Sequence, residues 1–258
     1  MNVLDFFRLS GKTAIVTGGG SGLGEVMARG LAEAGANLVL CSRKIERCEQ
    51  AALDLARLGV QVIAVPCDQT KEEDVESVVR KTIERFGAVD ILINNAGTTW
   101  GAAVEKMNYK DWQRVIDVNL SGTFLFSRQV GREMIERGGG KIINISSYAG
   151  LGGTDPDYLD AIPYNTSKGA IIVFTKDLAV KWAHYNINVN CIAPGWFPTK
   201  MTKWTLDNKR DSILQRVPIG RFGGSDDLKG AVVFLASRAA DYITGQLLPV
   251  DGGMTSYA

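Results

Sequence analysis

The sequence of 258 residues predicts an α/β fold, a parallel sheet with helices on both faces. Three observations carry the prediction. Short apolar runs alternate with longer helical patterns along most of the chain. Polar or small residues follow each run on its C-terminal side. The first run leads straight into the glycine-rich turn Gly18-Gly19-Gly20-Ser21-Gly22-Leu23-Gly24.

Thr13 to Thr17 reads as the first strand, and a helical pattern follows the glycines through Ala34, closed by Gly35. Strand, glycine turn and helix in that order make a phosphate cradle. Small residues let the backbone approach an anion and the helix N-terminus attracts it, which marks Gly18, Ser21, Gly22, Leu23 and Gly24 as candidate cofactor-binding residues. The alternation continues with a strand Asn37 to Cys41, a helix Ile45 to Leu58, a strand Val60 to Val65 and a helix Glu72 to Phe86. Ile91 to Ile93 is a strand ending in Asn94-Asn95-Ala96-Gly97, and one long helix is expected over Asp111 to Arg137. The strand Lys141 to Ile145, the helix carrying Tyr164 and Lys168, and the strand Ile187 to Ile192 complete the pattern. Strands separated by helices imply right-handed crossovers, and in such sheets ligands lie at the carboxyl ends of the strands. Those ends carry the glycines, Ser42 and Arg43, Asp68, Asn95, Ser146 and Ser147, and Pro194 and Gly195.

Bulk properties narrow the function. With 29 basic against 28 acidic residues the chain lacks the concentrated positive field of a nucleic-acid or membrane-surface protein, and a small-molecule substrate is the expected partner. Cys41, Cys48, Cys67 and Cys191 have no CxxC spacing and read as reduced, mostly buried thiols; with a single histidine, His184, no metal site is expected. No apolar run has the length of a membrane span, and Met1 to Arg8 has no signal-peptide core, so the expected location is the cytoplasm.

The chemistry is carried by Tyr164 and Lys168. Residues four apart share one helix face, so phenol and ammonium point the same way, and of the seven tyrosines only Tyr164 has a lysine four positions on. A free phenol titrates near 10 and shuttles protons poorly at neutral pH unless a neighbouring cation favours its anion; Lys168 is placed to supply that charge. Asp160 is the expected N-cap of this helix, with Pro163 in its first turn.

Taken together, Thr17-Gly18-x-x-x-Gly22-x-Gly24, Asn94-Asn95-Ala96-Gly97, Asn119 in Val118-Asn119-Leu120, Ser147, Tyr164-x-x-x-Lys168, Pro194-Gly195 and Pro249-Val250-Asp251-Gly252-Gly253 resemble the short-chain dehydrogenase/reductase family over essentially the whole chain. The resemblance implies a single domain over 1–258, a Rossmann-type three-layer sandwich with about seven parallel strands, and a nicotinamide cofactor. It implies that Tyr164 carries the proton, Lys168 lowers its pKa and holds the nicotinamide ribose, Ser147 bonds the substrate oxygen, and Asn119 anchors a water leading to Lys168. It further assigns Asp68 to the adenine amino group, Asn95 and Gly97 to the adenosine ribose, and Thr199 to the nicotinamide side, with a strand-end cap and a plain loop as the alternatives for Asp68 and Thr199. Ser146 is the rival of Ser147, since in an extended strand only one of the two faces the site.

The position about twenty residues past the glycines, where an acid marks NAD, holds Ser42, followed by Arg43 and Lys44. A hydroxyl and a guanidinium suit a phosphate dianion, so NADP is the expected cofactor; the alternative is that the two cations only begin the next helix. Thr154 to Asp160 places three carboxylates and Tyr158 next to the chemistry, fitting either a pocket for a sugar acid or polyol or a solvated turn. Residues 199–218, with Met201, Trp204 and Leu206 among basic residues, resemble a substrate lid. Phe124, Phe126, Ile172 and Phe174 fit either exposed helix faces or the core, and the resemblance implies a homo-oligomer, dimer or tetramer. Within the family, gluconate 5-dehydrogenase-like and 3-oxoacyl carrier-protein reductase-like activities compete; a non-catalytic dinucleotide sensor is the reading from another class.

Overall fold

Strand β1 (Thr13–Thr17) is buried at all five positions, and its side chains feed two separate cores. Ala14 and Val16 face one side of the sheet with Leu38, Leu40, Ile91 and Ile93; Ile15 faces the other with Val39, Leu92, Ile142 and Val189. A strand covered on both faces has no reason to alternate apolar with polar, which is why these segments read as continuous apolar runs.

The computed structural model describes residues 2–256. Its chain order is β1, α1 (Gly22–Glu33), β2 (Asn37–Ser42), α2 (Ile45–Ala56), β3 (Val62–Pro66), α3 (Glu72–Phe86), β4 (Ile91–Asn94), α4 (Tyr109–Ile116), α5 (Gly122–Arg137), β5 (Gly140–Ile145), α6 (Pro156–Leu159), α7 (Ile162–Trp182), β6 (Ile187–Pro194), α8 (Lys203–Asn208), α9 (Arg210–Leu214), α10 (Ser225–Ala236) and β7 (Leu247–Val250). The seven strands form one parallel sheet in the order β3-β2-β1-β4-β5-β6-β7. Helices α1, α2 and α10 cover one face through Met27, Leu31, Leu55, Leu228 and Val232. Helices α3, α5 and α7 cover the other through Val75, Val79, Phe126, Val130 and Ala179. This is the doubly wound Rossmann-type sandwich that the sequence predicts.

Three local expectations need correction, and one open choice is decided. The helix expected over Asp111 to Arg137 is broken by a π turn, Asp117–Ser121, between α4 and α5. Such a turn re-aims the side chains on it, and Asn119 sits within it. Asp160 is not the cap of α7: the N-cap is Ala161, without a side-chain bond, and Asp160 ends α6 instead. Of the four hydrophobics left between surface and core, Phe126 and Ile172 are core residues, Phe174 is half-buried, and Phe124 alone is exposed. Finally, β3 starts at Val62 and ends on Pro66, which an edge strand tolerates because it lacks a partner on one side.

The approach of α1 to the sheet depends on Gly24. A Cβ there would stand 2.3 Å from the Gly18 carbonyl oxygen and 2.5 Å from Asn95 Nδ2. Gly230 in α10 faces open space instead. Alanine favours a helix interior by roughly 1 kcal/mol over glycine, whereas overpacking costs about 1–3 kcal/mol. Gly230→Ala is therefore expected to raise the free energy of unfolding in urea by about 0.5–1 kcal/mol. Gly24→Ala is expected to lower it, with the clash outweighing the propensity.

Candidate functional site

The strand order reverses between β1 and β4, and the backbone there is held by one side chain on each strand. Thr17 Oγ1 accepts from the N–H groups of Asn95 and Ala96, both at 2.9 Å, and Asn95 Nδ2 donates to the Thr17 carbonyl at 2.8 Å. Above this junction opens a cleft of about 630 Å³. Gly18, Ser21, Gly22, Leu23, Asn95, Gly97, Pro194, Gly195 and Thr199 line it; Gly24 does not, packing instead against Gly18 and Asn95. Gly18 and Gly22 have φ of +66° and +56°, in the left-handed region that favours glycine. Ser21 is the N-cap of α1 and its hydroxyl is not spent on the helix. Asn95 acts in the wall itself, pinning the two strands.

One end of the cleft lies over β2 and β3. Arg43 and Lys44 line it, joined by Arg47 from the first turn of α2. The Ser42 hydroxyl is already engaged, donating to the Lys44 carbonyl at 3.0 Å and lying 3.2 Å from Cys48 Sγ. Asp68 also lines this end while its carboxylate accepts from the Thr70 N–H and hydroxyl at 3.1 and 2.8 Å. Burial pushes the Asp68 pKa up, but the Thr70 hydrogen bonds together with Arg43 and Lys71 outweigh it and leave the carboxyl below its usual value. Its turn role and its place in the cleft thus coexist.

The other end lies over β5 and β6. Ser146 and Ser147 both border the cleft, but the Ser146 hydroxyl is spent on the Lys168 carbonyl at 2.7 Å, whereas that of Ser147 meets Tyr164. Lys168, 5% exposed, donates to the Ile145 carbonyl at 2.7 Å, and its ammonium lies 5.7 Å from the centre of the Tyr164 ring. Burial pulls the Lys168 pKa down to about 8. Burial also pushes the Tyr164 phenol above its ordinary value, with the Ser147 hydroxyl working the other way. The expected lowering of the Tyr164 pKa by Lys168 is therefore not what the site shows, because desolvation is the larger effect and the ammonium is turned toward Ile145. Asn119, 1% exposed, accepts from the Thr98 N–H at 2.8 Å and donates to the Thr98 carbonyl at 3.0 Å and the Ser167 hydroxyl at 2.9 Å.

Two expectations near the chemistry are only partly met. Of residues 154–160 only Leu159 lines this cleft. Asp155 caps α6 and pairs with Arg216 at 3.6 Å, and Arg216 stacks over Tyr158 at 4.6 Å, beside a separate pocket of about 260 Å³. In the 199–218 segment Thr199, Lys200, Met201, Thr202 and Thr205 line the cleft. Leu206 is instead buried with Trp196, Ile213 and Val217, and Trp204 is exposed. His184 stacks on Tyr185, outside the cleft lining.

A family model described as enoyl-(acyl carrier protein) reductase matches residues 18–255. The 5-keto-D-gluconate 5-reductase of Escherichia coli is 38% identical over 252 residues, spanning 97% of this chain and 98% of its own. A 3-oxoacyl-[acyl-carrier-protein] reductase of Chlamydia muridarum is 40% identical over 247 residues, 95% of this chain and 98% of its own. A gluconate 5-dehydrogenase of Burkholderia cenocepacia, crystallised with NADP and tartrate, superposes with a TM-score of 0.94 at 39% identity, covering 100% of both chains. The chain belongs to the short-chain dehydrogenase/reductase family.

This short-chain dehydrogenase/reductase also lines its cleft with residues that sequence reading missed. Arg47 stands four positions beyond Arg43, a spacing that one more helical turn of attention would have found. Gln69 bonds the Ala96 and Val118 carbonyls at 3.1 and 2.6 Å, and Tyr148 and Trp196 pack as an aromatic wall, their ring centres 5.4 Å apart; no local pattern signals either. Gly195 is needed because a Cβ would stand 2.7 Å from Asp251 Cα. Among the described residues no helix is long and apolar enough to cross a membrane, and the four cysteines are free and buried.

The lowered Lys168 pKa has a sign that can be measured. Folding holds the ammonium in a site that favours its neutral form, so below about pH 8 the native state carries a penalty of about 3 kcal/mol. Between about 8 and 10.5 the folded protein releases the proton that the unfolded chain keeps, and the penalty disappears as pH rises. Losing the bond to Ile145 costs about 1–2 kcal/mol at any pH. Without nucleotide, Lys168→Met is therefore expected to melt above wild type at pH 7 and below it at pH 10.5, measured by differential scanning calorimetry.

Proposed function

We propose that the protein is an NADP(H)-dependent oxidoreductase interconverting a secondary alcohol and a ketone, with a sugar acid as substrate. One observation carries this reading: Tyr164, Ser147 and Lys168 meet at one end of a single cleft whose other end bears Arg43, Lys44 and Arg47. The residues fit the dinucleotide. Gly18, Gly20 and Gly22 line the cleft at the α1 N-terminus without side chains, which suits a pyrophosphate, and three cations suit a 2′-phosphate. The nicotinamide carries the hydride.

The rest of the work falls to the chain. With its pKa raised, Tyr164 is protonated at neutral pH and acts as the acid that delivers a proton to the carbonyl oxygen during reduction. Ser147 donates a hydrogen bond to the same oxygen, where charge builds as the hydride arrives. Lys168 holds the nicotinamide ribose and supplies positive charge beside the phenol. Asn119 positions the relay by tying the Thr98 loop to α7 through Ser167, and anchors a water leading to Lys168. Asp68 faces the adenine, Asn95 and Gly97 border the adenosine ribose, and Thr199 the nicotinamide. Residues 199–218 act as a lid on a single domain.

A carrier protein would need a basic docking patch beside the cleft, for which Arg128, Arg132 and Lys181 are the candidates. Arg128 pairs with Glu72, Lys181 pairs with Asp177, Arg132 bonds Gln129, and none of the three lines the cleft. The proposal extends to a cytoplasmic homo-oligomer, dimer or tetramer. The exposed Phe124, Val173 and Val180 on α5 and α7 support that assembly.

The test is a panel followed by oxidation of NADPH. Turnover of 5-keto-D-gluconate well above acetoacetyl thioester is expected; failure with every ketone alongside tight NADPH binding would favour a dinucleotide sensor. Tyr164→Phe is expected to lose roughly 10³-fold or more in kcat without losing NADPH affinity. Arg43→Ala combined with Arg47→Ala is expected to raise the KM for NADPH at least tenfold, about the worth of one charge-assisted hydrogen bond, while leaving that for NADH nearly unmoved. Equal use of NADH and NADPH by wild type contradicts the cofactor assignment.

A further inference from the structure

The charge lining the cleft is far from balanced, although the chain as a whole is. Arg43, Lys44, Arg47, Lys168 and Lys200 face it, against one carboxylate, Asp68. Arg43, Lys44 and Arg47 belong to the β2 end with Asp68 beside them on β3. Lys200 follows β6, four strands away from β2 in the sheet order, or about 19 Å at the usual strand spacing. A 2′-phosphate at the β2 end cannot answer Lys200; the pyrophosphate is the nearer competitor, because Thr199 lies 3.7 Å from where a Cβ on Gly22 would stand, and NADPH titration of the Lys200 variant separates the two.

At the β6 end Lys168 is buried and committed to the Ile145 carbonyl. Lys203, on the same lid segment, pairs with Asp207 at 2.9 Å and does not line the cleft. Among the described residues, that leaves Lys200 as the cation at this end without an ion pair. Its position is set by a local lock: the Thr199 N–H donates to Thr202 Oγ1 at 2.9 Å, and Thr202 Oγ1 donates to the Phe197 carbonyl at 2.6 Å. Hydroxyl groups surround the same space. Thr205 and Thr99 line the cleft, and Thr99 Oγ1 is buried in its wall with no partner, so a small rotation of this side chain would offer it to a ligand hydroxyl.

We propose that Lys200 is a specificity-determining residue that binds the carboxylate of an anionic polyhydroxy substrate, with Thr99 and Thr205 serving its hydroxyl groups. The inference rests on the sugar-acid reading above and deepens it. A lysine on a four-carbon stem reaches an anion as a point charge, so it selects for charge more than for the shape of the acid. It also draws the substrate toward a cleft that the neutral surface of the protein does not otherwise favour.

The experiment compares 5-keto-D-gluconate with L-sorbose, which carries a primary alcohol where the keto acid has its carboxylate, in wild type, Lys200→Met and Lys200→Arg at saturating NADPH. Lys200→Met is expected to raise the KM for the keto acid roughly tenfold or more, the worth of one charge-assisted hydrogen bond, with the loss carried by KM rather than kcat. The rise for L-sorbose is expected to be several-fold smaller, and Lys200→Arg is expected to recover most of the keto-acid KM. In wild type the keto-acid KM rises with salt, and in Lys200→Met that slope flattens. A keto-acid KM unmoved in Lys200→Met, or an equal loss for both substrates, overturns the inference while leaving the oxidoreductase reading intact. Weakened NADPH binding in Lys200→Met, measured by fluorescence titration, also overturns it by assigning the lysine to the dinucleotide. If wild type turns over L-sorbose but no keto acid, the sugar-acid reading fails and the inference falls with it.

Discussion

Two reciprocal hydrogen bonds between the end of β5 and the first turns of α7 hold the chemistry in place. Lys168 donates its side chain to the Ile145 carbonyl, and Ser146 donates its hydroxyl to the Lys168 carbonyl. The helix lies so close that a Cβ on Gly150 would stand 2.6 Å from the Lys168 carbonyl carbon. Because Ser146 is spent on this clamp, its neighbour Ser147 faces the cleft. Because Lys168 is held, Tyr164 one turn earlier stands over Ser147. The juxtaposition of phenol, hydroxyl and ammonium is thus a consequence of one strand-to-helix contact.

The clamp is expensive in a particular way. A buried ammonium with one backbone partner, and a buried phenol, are both held in surroundings that favour their neutral forms. In return the donor that meets a developing oxyanion keeps its proton at neutral pH, and the lysine sits poised to change charge within a pH unit or so of neutrality. The surrounding sheet supplies the rigidity that holds the clamp, with fully buried strands β1 and β4 and the buried Ile142–Ile145 end of β5 under it. The junction at Thr17 and Asn95 adds the second rigid edge of the cleft.

Charge is distributed as sharply as burial. A chain with near-zero net charge gathers five cations and a single carboxylate around one cavity, split between its two ends. Net composition argued only against large polyanionic surfaces. It carried no information about this local field, which arises when strand ends distant in sequence are laid side by side.

The doubly wound sheet, the glycine cradle and the tyrosine–lysine pair were legible in the amino-acid sequence because each depends on local physics. Fully buried strands give unbroken apolar runs, an anion-binding turn needs small residues before a helix, and a four-residue spacing places two groups on one helix face. β7 was not legible as a strand: its run Leu247-Leu248-Pro249-Val250 is only four residues long and contains a proline, which an edge position tolerates. The π turn at Asn119, the choice of Ser147 over Ser146, the raised phenol and the arrival of Arg47, Gln69 and Lys200 at the cleft were decided by tertiary structure. Each depends on what a side chain meets across a gap of tens of residues: a carbonyl, an aromatic wall, or the absence of water. Sequence thus determined which groups were available and on which elements, and packing determined which of them meet and in what charge state, because desolvation and hydrogen bonding are properties of the assembled interior.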